Sequence, residues 1–447
     1  MPGGFLEERT PLPPGEHLEE QFNPLIDDFE PKARSYLHFD APLSAEKARD
    51  LTADTTRVIS HSFFPFLGFT AIERRYKKVD GKRQIQNKPR DIRYASHTDS
   101  AIYEYYASIL SKRYESYLKK NALEQVVLAY RSGVGSNIDH AASLFSEIRR
   151  KCNCVCIALD ISGFFDNIEH SKLKTAWCSI LGSDNLPEDH YKIFRSLTCY
   201  GWVEKKDLEH RLGRKLRANK NKRLCSVSEF RNKIRGIKPS IIKQNKNSVG
   251  IPQGSTMSGL LANIYLYSVD MAILDLCKLH DGSYRRYSDD IAIVISNETD
   301  VDQFVTKIRT ILSSVKLDIN ETKTEIVQFE IQNGQQIGNK PFQYLGFTFD
   351  GCRTLIRDSS LNRYYRKMTR SLRAARLSAG KKNIPLAQTY LRRHYKTYTH
   401  KGKGRNFVRY AYRAAKKLEA PEIRRQLRKH TRIFERKVAE EFKQKGK

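Results

Sequence analysis

The sequence predicts an α+β chain with a sheet-containing body and an all-helical, strongly basic tail, and three observations carry that reading. Short apolar runs of strand length alternate with helical stretches from Cys152 to about Asp350. After Arg357 the strand signal stops: Leu361, Tyr364, Tyr365, Met368, Leu372 and Ala375 recur at helical spacing. The charge is divided unevenly, with a net +30 over 447 residues and 28 Lys and Arg against 5 Asp and Glu from Ser360 to the last residue.

Taken in order, residues 1–60 open acidic and proline-punctuated, with helical candidates around Ser44 to Ile59, and read as an extension that packs onto the body. Residues 61–150 begin with the aromatic run SFFPFLGFT. Two strand-like runs flank Asp80-Gly81, a hairpin signal, and a helix is predicted from about Thr98 to Lys120. Residues 151–355 hold the strands CVCIALDI, YRRYSDDIAIVIS, KTEIVQFEI and FQYLGFTF, with helices from about Ser171, Ser258 and Val301. A basic insertion at 204–246 interrupts them, with 15 basic and 4 acidic residues and little apolar periodicity, which reads as a nucleic-acid contact or a loop. Residues 356–447 form the basic helical tail.

A chain of this length with 39% hydrophobic residues can bury two or three folded units. No run of eighteen apolar residues appears and the first twenty residues lack a signal core, so no membrane partner and a cytoplasmic location are expected. Eight cysteines without a C-x-x-C pair point to buried free thiols, with Cys152, Cys154 and Cys156 alternating along one strand. Two concentrated cationic segments around a more balanced centre point to a polyanion held at two places.

The chemistry is carried by aspartates. Asp160 ends the apolar run Val155–Leu159, where a lone carboxylate is costly unless paired or bound to a cation. Asp289 and Asp290 sit side by side between two apolar strands, and a tight turn at Ser288-Asp289 would aim both at one point. Three carboxylates on neighbouring strand ends offer the oxygen donors that magnesium prefers, with room for substrate phosphates. Two such ions would support in-line phosphoryl displacement, and manganese is the substitute ion.

These residues lie within a series that resembles the reverse transcriptases. LDISGFFDNI, GIPQGSTMSGLLANIYL, RYSDD, LDINETKTEI and FQYLGFTF are similar, in this order, to the family's five palm motifs. The resemblance implies a right-hand polymerase with fingers at 61–150, palm at 151–355 and thumb at 356–447. It implies that Asp160, Asp289, Asp290 and the Ile161 carbonyl hold the metal, and that Lys323 donates a proton to pyrophosphate. Arg90, with Lys88, would clamp the triphosphate. Phe165 would bar a ribose 2′-hydroxyl, Gln253, Gly254 and Tyr287 would contact the nucleotide, and Tyr344, Leu345 and Gly346 would grip the primer. The implied partners are an RNA template, a DNA primer or product and dNTPs. Within the family, YLHFD at Tyr36–Asp40 and VLAYRSGVGSN at Val127–Asn137 resemble the bacterial defence-associated and abortive-infection-like enzymes. That implies an anti-phage role with a non-coding RNA, a second defence protein or a homo-oligomer as partner. Template-independent or protein-primed DNA synthesis, and a non-catalytic RNA-binding scaffold, are the alternatives.

Overall fold

The computed structural model describes residues 29–79, 82–217, 223–385, 389, 391–402, 404 and 406–442, and of 74–79 and 82–86 only the backbone. The predicted turn at Asp80-Gly81 and Tyr390 of the tail lie outside the described residues. Among the described residues are strands β1 (Phe66–Val79), β2 (Lys82–Tyr94), β3 (Cys154–Asp160), β4 (Gly201–Glu204), β5 (Lys243–Gln244) and β6 (Ser283–Tyr287). They are followed by β7 (Asp290–Ile295), β8 (Glu325–Gln332), β9 (Gln335–Gly338), β10 (Phe342–Tyr344), β11 (Phe347–Phe349) and β12 (Thr354–Ile356). The chain is a mixed α+β fold with sheets backed by helices.

Two compact units divide the chain: the first comprises Met1–Arg131, Ile161–Ile273 and Thr306–Ile319, the second Ser132–Asp160, Leu274–Val305 and Asn320–Lys447. This division cuts across the boundaries read from the sequence. Residues 151–355 do not stay together, because helices His170–Leu181 and Ser258–Tyr265 pack with His97–Lys120 inside the first unit. No single helix among the described residues is long and apolar enough to cross a membrane.

In the first unit a four-stranded sheet runs β2-β1-β4-β5. β1 and β2 pair antiparallel from Leu67↔Tyr94 to Val79↔Lys82, the hairpin predicted from the sequence. Helix His97–Lys120 starts at Ser96, whose hydroxyl accepts the Asp99 N–H, and the Asp40 carboxylate takes the N–H groups of His97 and Thr98 at 3.0 and 2.8 Å. The extension is thus tied to the body at a helix start, where unpaired donors favour a carboxylate. The basic block is no bare loop among its described residues. Leu208, Leu212, Leu224, Cys225 and Ile234 bury together with Phe39, Leu67 and Val203. Its last strand, β5, joins the sheet by pairing with β4.

In the second unit a five-stranded sheet runs β6-β7-β3-β8-β9. Helix Asn137–Lys151 covers it: Ile138, Ala141, Leu144, Phe145 and Ile148 share one core with Cys154, Cys156, Ala292, Val294, Val327 and Phe329. A small sheet, β10-β11-β12, extends that core. Among the described residues the regular elements of the tail from Asp358 are all helices, as predicted, and they divide their apolar residues between two cores. Ala411, Ala414, Leu418 and Ile423 bury against the sheet core, while Tyr364, Met368, Leu372, Tyr398, Val408 and Phe434 form a cluster of their own. Tyr395 and Phe407 flank that second cluster, so these tail aromatics serve as helix core under long cationic side chains, whereas Tyr412 is 44% exposed.

All eight cysteines are free, and Cys154, Cys156, Cys178, Cys225 and Cys277 are buried. Cys152 departs from its expected place on the strand. It caps helix Asn137–Lys151 with φ 56° and is exposed, because the helix runs on to Lys151 and β3 begins only at Cys154.

Candidate active site

Of the candidate metal-binding residues, Asp160, Asp289 and Asp290 belong to the second unit and Ile161 to the first. β3 and β7 pair so that Asp160 lies directly across from Asp290, and β6 and β7 pair so that Tyr287 lies across from Asp290. Directly paired residues point to one face of a sheet, so Tyr287, Asp290 and Asp160 make a row. Ser288 and Asp289 form the two-residue turn that was predicted, with Ser288 at φ 62°. Left-handed backbone is strained for most side chains but suits a small residue in a hairpin turn.

Two cations shape this row. The Lys323 ammonium, on a 3-10 turn at Glu321–Lys323, forms an ion pair with the Asp160 carboxylate, and the backbone of Asn320 donates to the Asp160 carbonyl at 2.7 Å. Lys323 thus meets an aspartate directly, a neighbour the sequence reading did not assign it. Arg286 is fully buried and donates from Nη1 to the Ser288 carbonyl at 3.2 Å, bracing the turn from inside. Sequence reasoning passed over Arg286, although a signal existed. Consecutive strand residues face opposite ways, so one arginine of YRRY had to point inward.

Although Asp290 as a residue reaches solvent, its carboxyl is pushed up to about 6. Desolvation is the largest cause, followed by the negative charges of Asp289 and then Asp160, with Lys323 and Arg357 pulling the other way. The three carboxylates therefore reach one another electrostatically. Among the described residues no three Asp, Glu, His or Cys side chains form a group that could by itself hold a metal ion. The reason is local: Asp290 is a strand residue in the row with Asp160, whereas Asp289 belongs to the turn, and Lys323 engages Asp160. The donor set still suits magnesium, which is held through one or two carboxylates plus water and substrate phosphates rather than by a closed protein cage.

The primer-grip candidates sit on the β10–β11 hairpin of the same unit. Leu345 and Gly346 form its two-residue turn at φ 43° and 91°. The turn is held from both sides, by Asn137 Nδ2 to the Leu345 carbonyl at 3.2 Å and by the Arg357 N–H to the Gly346 carbonyl at 3.0 Å. Tyr344 is buried, its hydroxyl has no hydrogen-bond partner among the described residues, and burial raises its pKa well above the ordinary phenol value.

Of the nucleotide-contact candidates, Tyr287 stands in the row of the second unit, while Arg90, Lys88, Phe165, Gln253 and Gly254 belong to the first unit. Arg90 and Lys88 stand on β2, Arg90 exposed and 3.5 Å from Glu73, Lys88 directly opposite Glu73 in register. Three residues beyond Arg90, the Arg93 N–H donates to the Gln253 carbonyl at 2.8 Å. The Ile251 N–H in turn donates to the Phe165 carbonyl at 3.0 Å. Phe165 is half-buried on the short helix Phe164–Asn167, and Ile161 is buried and bridged to Ile319. Arg93 is a second residue that sequence reasoning missed: it is buried, pairs with Glu204 at 3.0 Å and lies over the Trp202 ring. Gly254 has φ +121°, and a Cβ there would come within 2.8 Å of the Arg93 carbonyl. Gly254→Ala is accordingly expected to cost about 1–3 kcal/mol in stability from forbidden backbone and overpacking. Thermal melting checks the cost, and an unchanged melting temperature would show that the turn can move aside.

Residues 214–349 match the family model described as reverse transcriptase (RNA-dependent DNA polymerase). The matched segment contains Gln253, Gly254, Asp289, Asp290, Lys323 and Tyr344–Gly346, and it begins after Asp160 and Phe165. The chain therefore carries the domain of an RNA-directed DNA polymerase, a nucleotidyltransferase; domains of this family generally use divalent metal ions. Among solved structures, it is similar to apo telomerase from Candida tropicalis, at 12% identity and TM-score 0.42, over 90% of this chain and 67% of that one. A second match is the C. tropicalis telomerase truncated from its C-terminal domain, at 12% identity and TM-score 0.40, over 69% of this chain and 59% of that one. Telomerase from Candida albicans in complex with a fragment of telomeric RNA matches at 13% identity and TM-score 0.41, over 87% of this chain and 59% of that one. The chain thus spans 59 to 67% of the length of these telomerases.

Proposed function

We propose that this protein copies RNA into DNA, extending a primer from dNTPs by magnesium-assisted nucleotidyl transfer. The observation that carries the reading is the row of Asp160 and Asp290 beside the Asp289 turn, in which desolvation first, and then the charges of Asp289 and Asp160, drive Asp290 toward its neutral form. Asp160, Asp289, Asp290 and the Ile161 carbonyl would hold the metal. A divalent ion bound there supplies Lewis acidity for the attacking hydroxyl and charge neutralisation for the leaving pyrophosphate.

The chain's own groups do the rest. The Arg90 guanidinium offers a planar fork for triphosphate oxygens. Gly254 lets backbone approach the nucleotide, Gln253 and Tyr287 orient it, and Lys323 carries a proton at Nζ for the leaving group. The Phe165 ring excludes a ribose 2′-hydroxyl, while Tyr344, Leu345 and Gly346 hold the primer end on a rigid turn. The tail's cations take the phosphates of template and product. The resemblance of Tyr36–Asp40 and Val127–Asn137 to defence-associated enzymes adds an anti-phage setting inside the bacterial cell, with a non-coding RNA as partner.

The test is primer extension on an RNA template with magnesium and dNTPs, for which metal-dependent incorporation is expected. Salt-sensitive RNA binding without incorporation would favour a scaffold instead. Phe165→Ala is expected to improve the use of rNTPs relative to dNTPs by about tenfold or more, the scale of one lost steric contact. A selectivity ratio that does not move places the gate at another residue.

A further inference from the structure

The stretch Val127–Asn137, singled out in the sequence, ends at a helix start that the proposed chemistry does not use. Ser136 opens helix Asn137–Lys151 in a capping box, its N–H and hydroxyl donating to the Asp139 carboxylate at 2.9 and 2.8 Å. The second Asp139 oxygen pairs with the Lys417 ammonium of the tail. The helix is held in place by Ile138, Leu144 and Ile148, which are fully buried in the core of the sheet that carries Asp160 and Asp290.

From this anchored start the Asn137 amide nitrogen makes two bonds, at 3.2 Å to the Leu345 carbonyl and at 2.8 Å to the Tyr410 hydroxyl oxygen. A carbonyl can only accept, which fixes the orientation of the amide and uses its two N–H groups. Leu345 needs the bond, because its φ of 43° is left-handed backbone that disfavours a leucine. Tyr410 stands on helix Phe407–Lys417, its ring stacked 6.2 Å from that of Phe347 on β11. On the other side of the turn, the Arg357 N–H that holds the Gly346 carbonyl immediately precedes helix Asp358–Lys381. One strained two-residue turn is thus tied to two helices of the tail, through backbone at Arg357 and through a side chain at Asn137.

We infer that Asn137 is a positioning residue, locking the Leu345-Gly346 turn to helix Phe407–Lys417 so that the primer end and the tail share one frame. The inference rests on the reading of that turn as the primer grip. In-line attack tolerates little error, a misplacement of about 1 Å costing about a hundredfold in rate. A turn fixed from a packed helix holds that tolerance better than one fixed from a loop.

The test follows primer extension by the full chain on an RNA template with magnesium, at a temperature where circular dichroism shows every variant folded. Asn137→Ala should lower kcat about tenfold, with the KM for dNTP and, in EDTA, the Kd for primer–template duplex within about twofold of wild type. Tyr410→Phe keeps the ring on Phe347 and loses only the acceptor for Asn137, and should lower kcat about threefold. The double variant should match Asn137→Ala, since without the amide the Tyr410 hydroxyl has no link left to lose. Without turnover, 2-aminopurine at the primer 3′ end should show lower fluorescence anisotropy on Asn137→Ala than on wild type. Wild-type kcat in Asn137→Ala, an equal loss in duplex binding, or losses that multiply in the double variant would overturn the inference and leave the polymerase reading standing. Should Asn137→Ala not fold, Tyr410→Phe with wild-type kcat overturns it instead. A wild type without metal-dependent extension overturns the polymerase reading and this inference with it.

Discussion

Asp289→Ala is expected to abolish nucleotide incorporation, lowering the rate by a factor of about a thousand or more, equivalent to about 4 kcal/mol of transition-state stabilisation. The same change should leave the fold intact. Asp289 sits in a two-residue turn whose backbone is braced by Arg286, and its side chain is one of the charges that disfavour the ionised form of Asp290. Removing it relieves repulsion, so the melting temperature without metal should hold or rise. Loss of activity with unchanged or improved stability is the signature of a group kept for function rather than folding. Normal primer extension by the alanine variant contradicts the assignment, and unfolding of the variant contradicts the reading of the turn.

The second large effect concerns Asp290 and pH. Its folded-state pKa is about 6, above the ordinary carboxylate value near 3.8. Between these values the folded state binds the proton more readily than the unfolded chain does, so stability falls as pH rises through that window. Below it the group costs nothing, and above pH 6 the whole cost is in force. With solvent screening of an exposed residue, that cost comes to about 1 kcal/mol. Asp290→Asn should therefore melt higher than wild type at pH 7.5 without metal and match it near pH 4. Magnesium should raise the wild-type melting temperature more at pH 7.5 than at pH 5, since binding favours the ionised form. An Asn variant with the same gain at both pH values would show that repulsion in this row is negligible.

Much of the fold was legible because its signals are local. The strands ending in Asp160 and flanking Asp289-Asp290 are apolar runs cut short by charge, and β1 and β2 are apolar or alternating runs on either side of the Asp80-Gly81 sequence. The helical tail followed from spacing alone. What stayed hidden depended on distant partners. The basic block at 204–246 shows weak periodicity because its Leu208, Leu212, Leu224 and Ile234 bury against Phe39 and Leu67, which lie far away in sequence. The split of the palm stretch between two units likewise follows from helix His97–Lys120 packing with helices that come much later.

The candidate site was legible as chemistry and only partly as geometry. The aspartates could be picked out because charges at the ends of apolar strands need an explanation. Spacing could not reveal that Asp290 rather than Asp289 would stand in register with Asp160, because a shift of one residue changes which side chain faces the row. Nor could it reveal that Lys323, 163 positions along the chain, would form an ion pair with Asp160. The internal braces Arg286 and Arg93 were hidden for a simpler reason: arginine is ordinarily read as surface, and only burial shows otherwise.

The most direct test of the account is to locate the metal itself by replacing magnesium with ferrous iron and mapping oxidative cleavage of the backbone. The account predicts cuts beside Asp160 and beside Asp289-Asp290, both suppressed by excess magnesium and both lost in Asp160→Asn. Cleavage at only one of these two segments, or at neither, would contradict it.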